Sequence, residues 1–135
     1  MTDEEFQRKT TQRVFSRDHF TKQELIDGLY TAYFVARKAK RRTRDEVKFE
    51  FNLAYNIERL ADSILTQQYR PSRSIAFMIS RPVQREIFAA PFRDRVVHHL
   101  LFMLCGEWWD RRFIGNSFSC RVGKGTHYGR IHLQR

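Results

Sequence analysis

The stretch RPVQREIFAAPFRDRVVHHLL, residues 81–101, decides the fold of this 135-residue chain. Its first part has the composition of a β-strand, and Pro91 then leads into an apolar run of helical length. Upstream, residues 74–80 (SIAFMIS) alternate with a two-residue period. Because proline is disfavoured inside a paired strand, Pro82 fits the connection between the two segments. The pattern predicts an antiparallel hairpin followed by a helix.

Two amphipathic helices are predicted upstream of the hairpin. The first begins near Thr21, which has capping-box spacing to Glu24, and its apolar residues recur at three- and four-residue steps as far as Ala39. The second runs from about residue 43 to residue 67 and ends before Pro71, because the residue before a proline leaves the helical region. Its predicted apolar line is Val47, Phe51, Ala54, Ile57, Ala61 and Ile64. We expect the two helices to form an antiparallel pair.

These elements predict an α+β fold that is mostly helical with a small antiparallel β-hairpin. The chain length predicts one domain, which we place at residues 21–135, and residues 1–20 are interpreted as a tail or a short helix. The helix from Val96 to Trp109 is apolar almost all round and therefore expects cover on more than one face.

Composition limits where the protein works. The longest apolar run, residues 96–105, is far shorter than the roughly 20 residues of a membrane span, and the N-terminus has no apolar signal-peptide core. We therefore expect a cytoplasmic protein without a membrane partner. Cys105 and Cys120 lack a C-x-x-C partner and are expected to be reduced.

The positive charge is concentrated in the second half of the chain. Residues 1–67 contain 13 Lys and Arg against 11 Asp and Glu, whereas residues 68–135 contain 12 against 4, and eleven of those twelve are arginines. Arginine binds phosphate with a planar bidentate fork and stacks on bases. The distribution favours a nucleic-acid partner.

Six basic side chains form the predicted binding site. Four surround the hairpin and the N-terminus of the following helix, which is a favourable place for an anion, and two lie in a Gly-rich loop whose backbone amides could form a nest. The alternative for these four is that each pairs with a nearby carboxylate such as Glu86 or Asp94, at about 0 to 1 kcal/mol per surface pair, or points into water. The alternative for the loop is a flexible turn before a helix. Asp94 is expected to hold Arg93 or Arg95 or to cap the helix rather than to act as a catalytic acid. The six residues are Arg81, Arg85, Arg93, Arg95, Arg121 and Lys124.

Several ordered motifs resemble the fingers region of bacterial reverse transcriptases of the group II intron, retron and diversity-generating retroelement types. They are Arg85-Glu86-Ile87, residues 93–99 (RDRVVHH), Phe113-Ile114, and residues 117–121 (SFSCR) followed by residues 123–127 (GKGTH). The resemblance implies that the chain is an N-terminal fingers fragment of an RNA-directed DNA polymerase, with the palm absent. Its basic residues would then contact the template RNA or RNA/DNA hybrid and the incoming deoxynucleotide triphosphate.

The same resemblance implies that catalysis resides elsewhere. In this family the metal ligands are aspartates on palm strands, and nothing acidic follows Asp110 here. We therefore assign no catalytic residue and no metal ligand to this chain, and expect Mg²⁺ to serve the complete enzyme only. The alternative function is that of a stand-alone basic nucleic-acid-binding protein without enzymatic activity. Without the palm, the apolar helix should be exposed, and we expect a homo-oligomer formed through it.

Overall fold

The computed structural model describes residues 21–38 and 43–134, so the interpretation of residues 1–20 and the side chain of Ala39 lie outside the described residues. The chain forms two compact units, Met1–Met103 and Leu104–Arg135, which are taken separately below. The placement of one domain at residues 21–135 stays a prediction. The described elements are α1 (Lys22–Arg37), α2 (Arg44–Phe51), α3 (Leu53–Leu65), β1 (Ile75–Ile79), β2 (Arg85–Ala89), α4 (Phe92–Asp110) and α5 (Thr126–Leu133).

Helix α1 begins as the sequence predicts. The Thr21 side chain accepts a hydrogen bond from the backbone amide of Glu24, and the Glu24 carboxylate accepts one from the backbone amide of Thr21. These reciprocal bonds satisfy two amides that have no partner within the helix. The predicted apolar stripe is buried, and its members are at most 4% exposed: Leu25, Leu29, Ala32 and Ala36.

The second predicted helix is two helices, because Asn52 interrupts it with φ −126° and ψ 51°. The interruption shifts the phase of the helical pattern, so the predicted line through Val47 and Phe51 is wrong in this part of the chain. Val47 is 47% and Phe51 86% exposed, whereas Phe49 is 8% exposed. In α3 the pattern is partly correct. Its buried residues are Ile57, Leu60 and Ala61.

Helix α1 packs antiparallel to the α2–α3 segment. At its start, the Lys22 ammonium lies 2.7 Å from the Asp62 carboxylate near the end of α3. Near its end, Tyr33 and Arg37 both bind the carboxylate of Glu50 in α2, at 2.8 and 2.6 Å. The antiparallel prediction is therefore confirmed. The core of this unit also contains an aromatic cluster of Tyr33, Phe49 and Phe92.

The predicted hairpin is present. Strands β1 and β2 pair antiparallel, from Ile75 opposite Ala89 to Ile79 opposite Arg85. Cross-strand partners share a face of the ribbon, and successive residues of a strand alternate between faces. Phe77 and its partner Ile87 therefore lie on one face, and Phe88 and Met78 lie on the other.

Helix α4 begins directly after Pro91, whose carbonyl accepts the first helical hydrogen bond, from Arg95. The amide of Phe92 donates to the carboxylate of Asp45 in α2, so a side chain 47 residues earlier caps this helix. Burial is confined to its first part. Phe92, Val96, Val97 and Leu100 are at most 5% exposed, whereas Leu101 is 52% and Phe102 72% exposed.

The second unit contains the end of α4, a loop and α5. Trp108 and Trp109 in α4 are 50% and 54% exposed. Gly123 in the loop has φ +69°, a left-handed conformation that favours glycine. The described residues are thus mostly helical with one two-stranded antiparallel hairpin, which is an α+β architecture. None of the described helices is long and apolar enough to cross a membrane.

Candidate nucleic-acid interface

Arg81 and Arg85 lie at the turn end of the hairpin. Arg81 is in the connection between the strands, next to the cis-proline Pro82, and Arg85 is the first residue of β2. Both side chains are exposed, and neither has a hydrogen-bond or ion-pair partner among the described residues. The alternative pair between Arg85 and Glu86 is not formed, since neighbouring residues of a strand point to opposite faces. Both guanidinium groups therefore keep all their donors for a ligand.

The same ribbon exposes aromatic and aliphatic side chains on both faces. Phe77 is 46% exposed on one face, and Phe88 is 66% and Met78 60% exposed on the other. A two-stranded ribbon is only marginally stable alone in water, so exposed apolar groups on both faces favour a partner. The strand register puts Arg85 on the same face as Phe77. A face that combines an aromatic ring with an unpaired arginine suits single-stranded nucleic acid, with bases on the ring and phosphates on the cation.

Arg93, at the base of the hairpin, is engaged by the protein itself. Its Nε and Nη2 donate to the Asp94 carboxylate at 3.1 and 2.9 Å, and Nη2 also donates to the carbonyl of Arg70 at 2.7 Å. The guanidinium carbon also lies 5.3 Å from the ring centroid of Tyr69. The expectation that Asp94 holds Arg93 is confirmed.

Asp94 joins the two ends of the hairpin segment. Its side chain is 2% exposed and accepts from the hydroxyl of Tyr69 at 2.8 Å and from the amide of Ser72 at 2.6 Å. Burial by itself would raise the pKa of the Asp94 carboxyl, but the hydrogen bonds from Tyr69, Ser72 and Arg93 outweigh it and leave the pKa below its usual value. Burial, together with the bond to Asp94, raises the pKa of Tyr69 to about 12. Asp94 is therefore a structural carboxylate in its charged form.

Arg95 is half-buried and lies over the ring of Phe92, with its guanidinium carbon 5.2 Å from the ring centroid. Its buried Nε has no hydrogen-bond partner. Arg85 is the first residue of β2 and Ala89 is the last, four residues or about 13 Å apart along the strand. Arg93 and Arg95 follow the Ala89 end, in α4. The structure thus separates the four arginines into a pair at the turn end and a pair at the base.

One arginine that the sequence analysis did not select belongs with the exposed group. Arg73 precedes β1, is exposed, and has no partner among the described residues. The signal that could have found it is the arginine excess after residue 67, read together with the predicted start of β1. It places a third unpaired guanidinium on the hairpin segment.

In the second unit, Arg121 holds the loop that precedes it. Its Nε donates to the Asp110 carboxylate at 2.7 Å, and its Nη atoms donate to the carbonyls of Asp110, Ile114 and Ser117. The side chain is only 11% exposed. The bond to Asp110 raises the pKa of Arg121, and the same bond lowers the pKa of Asp110. Most of the Arg121 donors are therefore occupied by the protein.

Lys124 combines an internal contact with a position beside an aromatic ring. Its ammonium donates to the carbonyl of Gly115 at 2.9 Å and lies 6.0 Å from the ring centroid of Phe118. No carboxylate pairs with it among the described residues. The charge of Lys124 is therefore not neutralised, although one of its donors is used.

Within residues 21–38 and 43–134, no group of three or more His, Cys, Asp or Glu side chains is placed to hold a metal ion. Cys105 and Cys120 form no disulfide. A scan against protein-family models found no matching family, and a search of curated proteins found no match.

Proposed function

We propose that this chain binds single-stranded RNA through the hairpin, as the fingers part of an RNA-directed DNA polymerase. The observation that carries the proposal is the pair of unpaired guanidinium groups of Arg81 and Arg85 on a ribbon that also exposes Phe77 and Phe88. Phosphates would bind the arginines while bases stack on the rings. The hairpin segment, residues 70–89, contains four arginines and one glutamate, so its field attracts a polyanion.

The polymerase part of the proposal is supported by the motif resemblance. The motif Arg85-Glu86-Ile87 includes an unpaired arginine of the hairpin. The resemblance implies that this arginine contacts the template and the incoming nucleotide. We assign this chain the binding of template and nucleotide, and the two-metal phosphoryl transfer to the palm aspartates of the complete enzyme. The full 135-residue chain alone should give no template-dependent DNA synthesis in a primer-extension assay.

The binding proposal is tested by the salt dependence of affinity for a fluorescently labelled RNA of about 16 nucleotides. For single strands, the logarithm of affinity falls with the logarithm of salt concentration with a slope of about −0.7 per phosphate contact. Changing Arg81 and Arg85 together to Gln should therefore make the slope shallower by about 1.4. It should also weaken binding at low salt without changing the far-UV circular dichroism spectrum.

The matched control is Arg44→Gln combined with Arg59→Gln, which removes the same two charges from exposed arginines of α2 and α3. Its slope should equal that of the wild type if the hairpin is the binding surface. Equal losses in the control and in the double variant would mean that only net charge matters. An unchanged slope in the double variant, or no binding by the wild-type protein, would overturn the proposal.

A further inference from the structure

Helix α5 presents two neighbouring aromatic rings that are nearly parallel. Tyr128 and His132 are one helical turn apart, and their rings are parallel within 9°, with centroids separated by 6.4 Å. Tyr128 is 48% exposed, and His132 is also exposed. Residues at positions i and i+4 of a helix are neighbours on its surface, so the helix brings the two rings next to each other.

The spacing is close to what a planar ring needs to enter between them. A ring that makes contact at about 3.5 Å on both of its faces requires roughly 7 Å between the flanking rings. Side-chain rotations that set the two rings face to face at this separation would admit a planar group between them. A nucleobase has the required flat shape, and each of its two faces would meet an aromatic ring.

Phe118 closes one side of this slot. Its ring centroid is 5.8 Å from that of Tyr128 and 5.7 Å from that of His132. The plane of the Phe118 ring is inclined by 48° to the Tyr128 ring and by 56° to the His132 ring. The ring rests on Gly129, where an added Cβ would lie only 3.1 Å from a Phe118 ring carbon. Glycine at this position therefore lets Phe118 form the wall.

The charge around the slot suits a polyanion. The two acidic residues of the unit, Glu107 and Asp110, are paired with Arg111 and Arg121. Three cations remain without a carboxylate partner among residues 104–134, and one of them, Lys124, lies beside the Phe118 ring. The other two are Arg112 and Arg130.

We propose that Tyr128 and His132 clamp a base of single-stranded nucleic acid, with Phe118 as the wall and Lys124 near the adjoining phosphate. The clamp rests on the proposed nucleic-acid binding but is a separate contact from the hairpin arginines. It adds recognition of bases to the recognition of phosphates.

The test places 2-aminopurine, whose fluorescence falls when the base stacks, in a short single-stranded RNA and titrates it with the full chain. We expect quenching by the wild type and by Tyr128→Phe, which keeps the ring. Tyr128→Leu and His132→Leu should each abolish most of the quenching and weaken binding by roughly 5- to 150-fold, the range for loss of one stacked base. Tyr55→Leu, which removes a 58% exposed tyrosine from α3, is the matched control and should leave both quantities unchanged.

Folding of each variant is checked by circular dichroism, and an RNA with abasic positions tests the wild type without any substitution. If abasic RNA binds as tightly as the parent RNA, or if both leucine variants quench like the wild type, the clamp is overturned while the hairpin proposal stands. If the salt slope depends on Arg81 and Arg85 but not on Tyr128, the two contacts are separate, as proposed. If the wild type binds no RNA, both proposals fail together.

Discussion

The substitution Asp94→Asn tests whether the buried carboxylate of Asp94 holds the base of the hairpin in place within the first unit. Asp94 accepts hydrogen bonds from Tyr69, Ser72 and Arg93. Asparagine has the same shape, but it replaces one acceptor oxygen by an NH₂ donor. At least one of the three donors must then lose its acceptor, and Arg93 loses its counter-charge.

The expected cost follows from these contacts. A hydrogen bond to a charged group contributes about 1.5–3 kcal/mol, and breaking a buried ion pair costs roughly 3–5 kcal/mol. Because the Arg93 side chain is 42% exposed, solvent reduces its share of the cost. We therefore expect the free energy of unfolding to fall by roughly 2–4 kcal/mol, a large part of the total of about 5–15 kcal/mol that is typical of a domain.

The sign of the pH dependence is fixed by the lowered pKa of Asp94. A carboxyl whose pKa is lower in the folded state stabilises the fold above its unfolded pKa, near 3.8, and this contribution is lost as the pH falls through the folded value. The difference in unfolding free energy between wild type and Asp94→Asn should therefore be constant near neutral pH. It should shrink below about pH 4.

Urea unfolding followed by circular dichroism measures the effect. With a typical slope of about 2 kcal/mol per molar urea, the midpoint should fall by about 1–2 M. The isosteric control is Asp62→Asn, which removes an exposed carboxylate paired with Lys22 and should leave the midpoint almost unchanged. A loss below about 1 kcal/mol for Asp94→Asn, or no coupling to Tyr69→Phe in a double-mutant cycle, would refute the reasoning.

Three further predictions concern separate parts of the chain. The pKa of Tyr69 is raised to about 12, so its contribution to stability is complete below pH 10 and is lost as the pH rises toward 12. With allowance for the partial exposure of Tyr69, the loss should be about 1–2 kcal/mol. Tyr69→Phe should remove this pH dependence in urea titrations at alkaline pH. Arg121→Gln should make the loop of the second unit more sensitive to limited proteolysis, since it frees the carbonyls of Ile114 and Ser117, whereas Arg130→Gln should not. Sedimentation at micromolar concentration should show self-association that Phe102→Glu weakens, because Phe102 is 72% exposed; a monomeric wild type would contradict this.

Local signals in the sequence were sufficient for the features that depend on neighbouring residues. The capping box at Thr21, the two-residue period before Pro82 and the helix start after Pro91 all operate within a few positions, and each is confirmed. The role of Asp94 could be predicted in part. Its contact with Arg93 is between adjacent residues, whereas its bonds to Tyr69 and Ser72 span more than twenty positions and required the structure.

The features that could not be predicted depend on distant parts of the chain. Nothing local marks Asn52 as a break, and once the helix is interrupted there, the pattern that put Phe51 in the core loses its phase. Arg121 donates to backbone carbonyls, and every residue has a carbonyl, so residue types carry no information about such a partner. A count of cations can therefore predict that a surface is basic without showing which cations are available.

The structure divides the arginines by what their donors already bind, and this division makes opposite predictions for Arg93 and Arg85. Arg93 is bound to Asp94 and to a backbone carbonyl, so its substitution should act mainly on stability, while Arg85 has no partner and its substitution should act mainly on affinity. A residue can affect RNA binding without contacting RNA if it holds the base of the hairpin. Arg93→Gln should then weaken binding only under conditions in which it also unfolds the protein, and the salt slope of its folded fraction should equal that of the wild type. A shallower slope in folded Arg93→Gln would instead place this guanidinium on a phosphate.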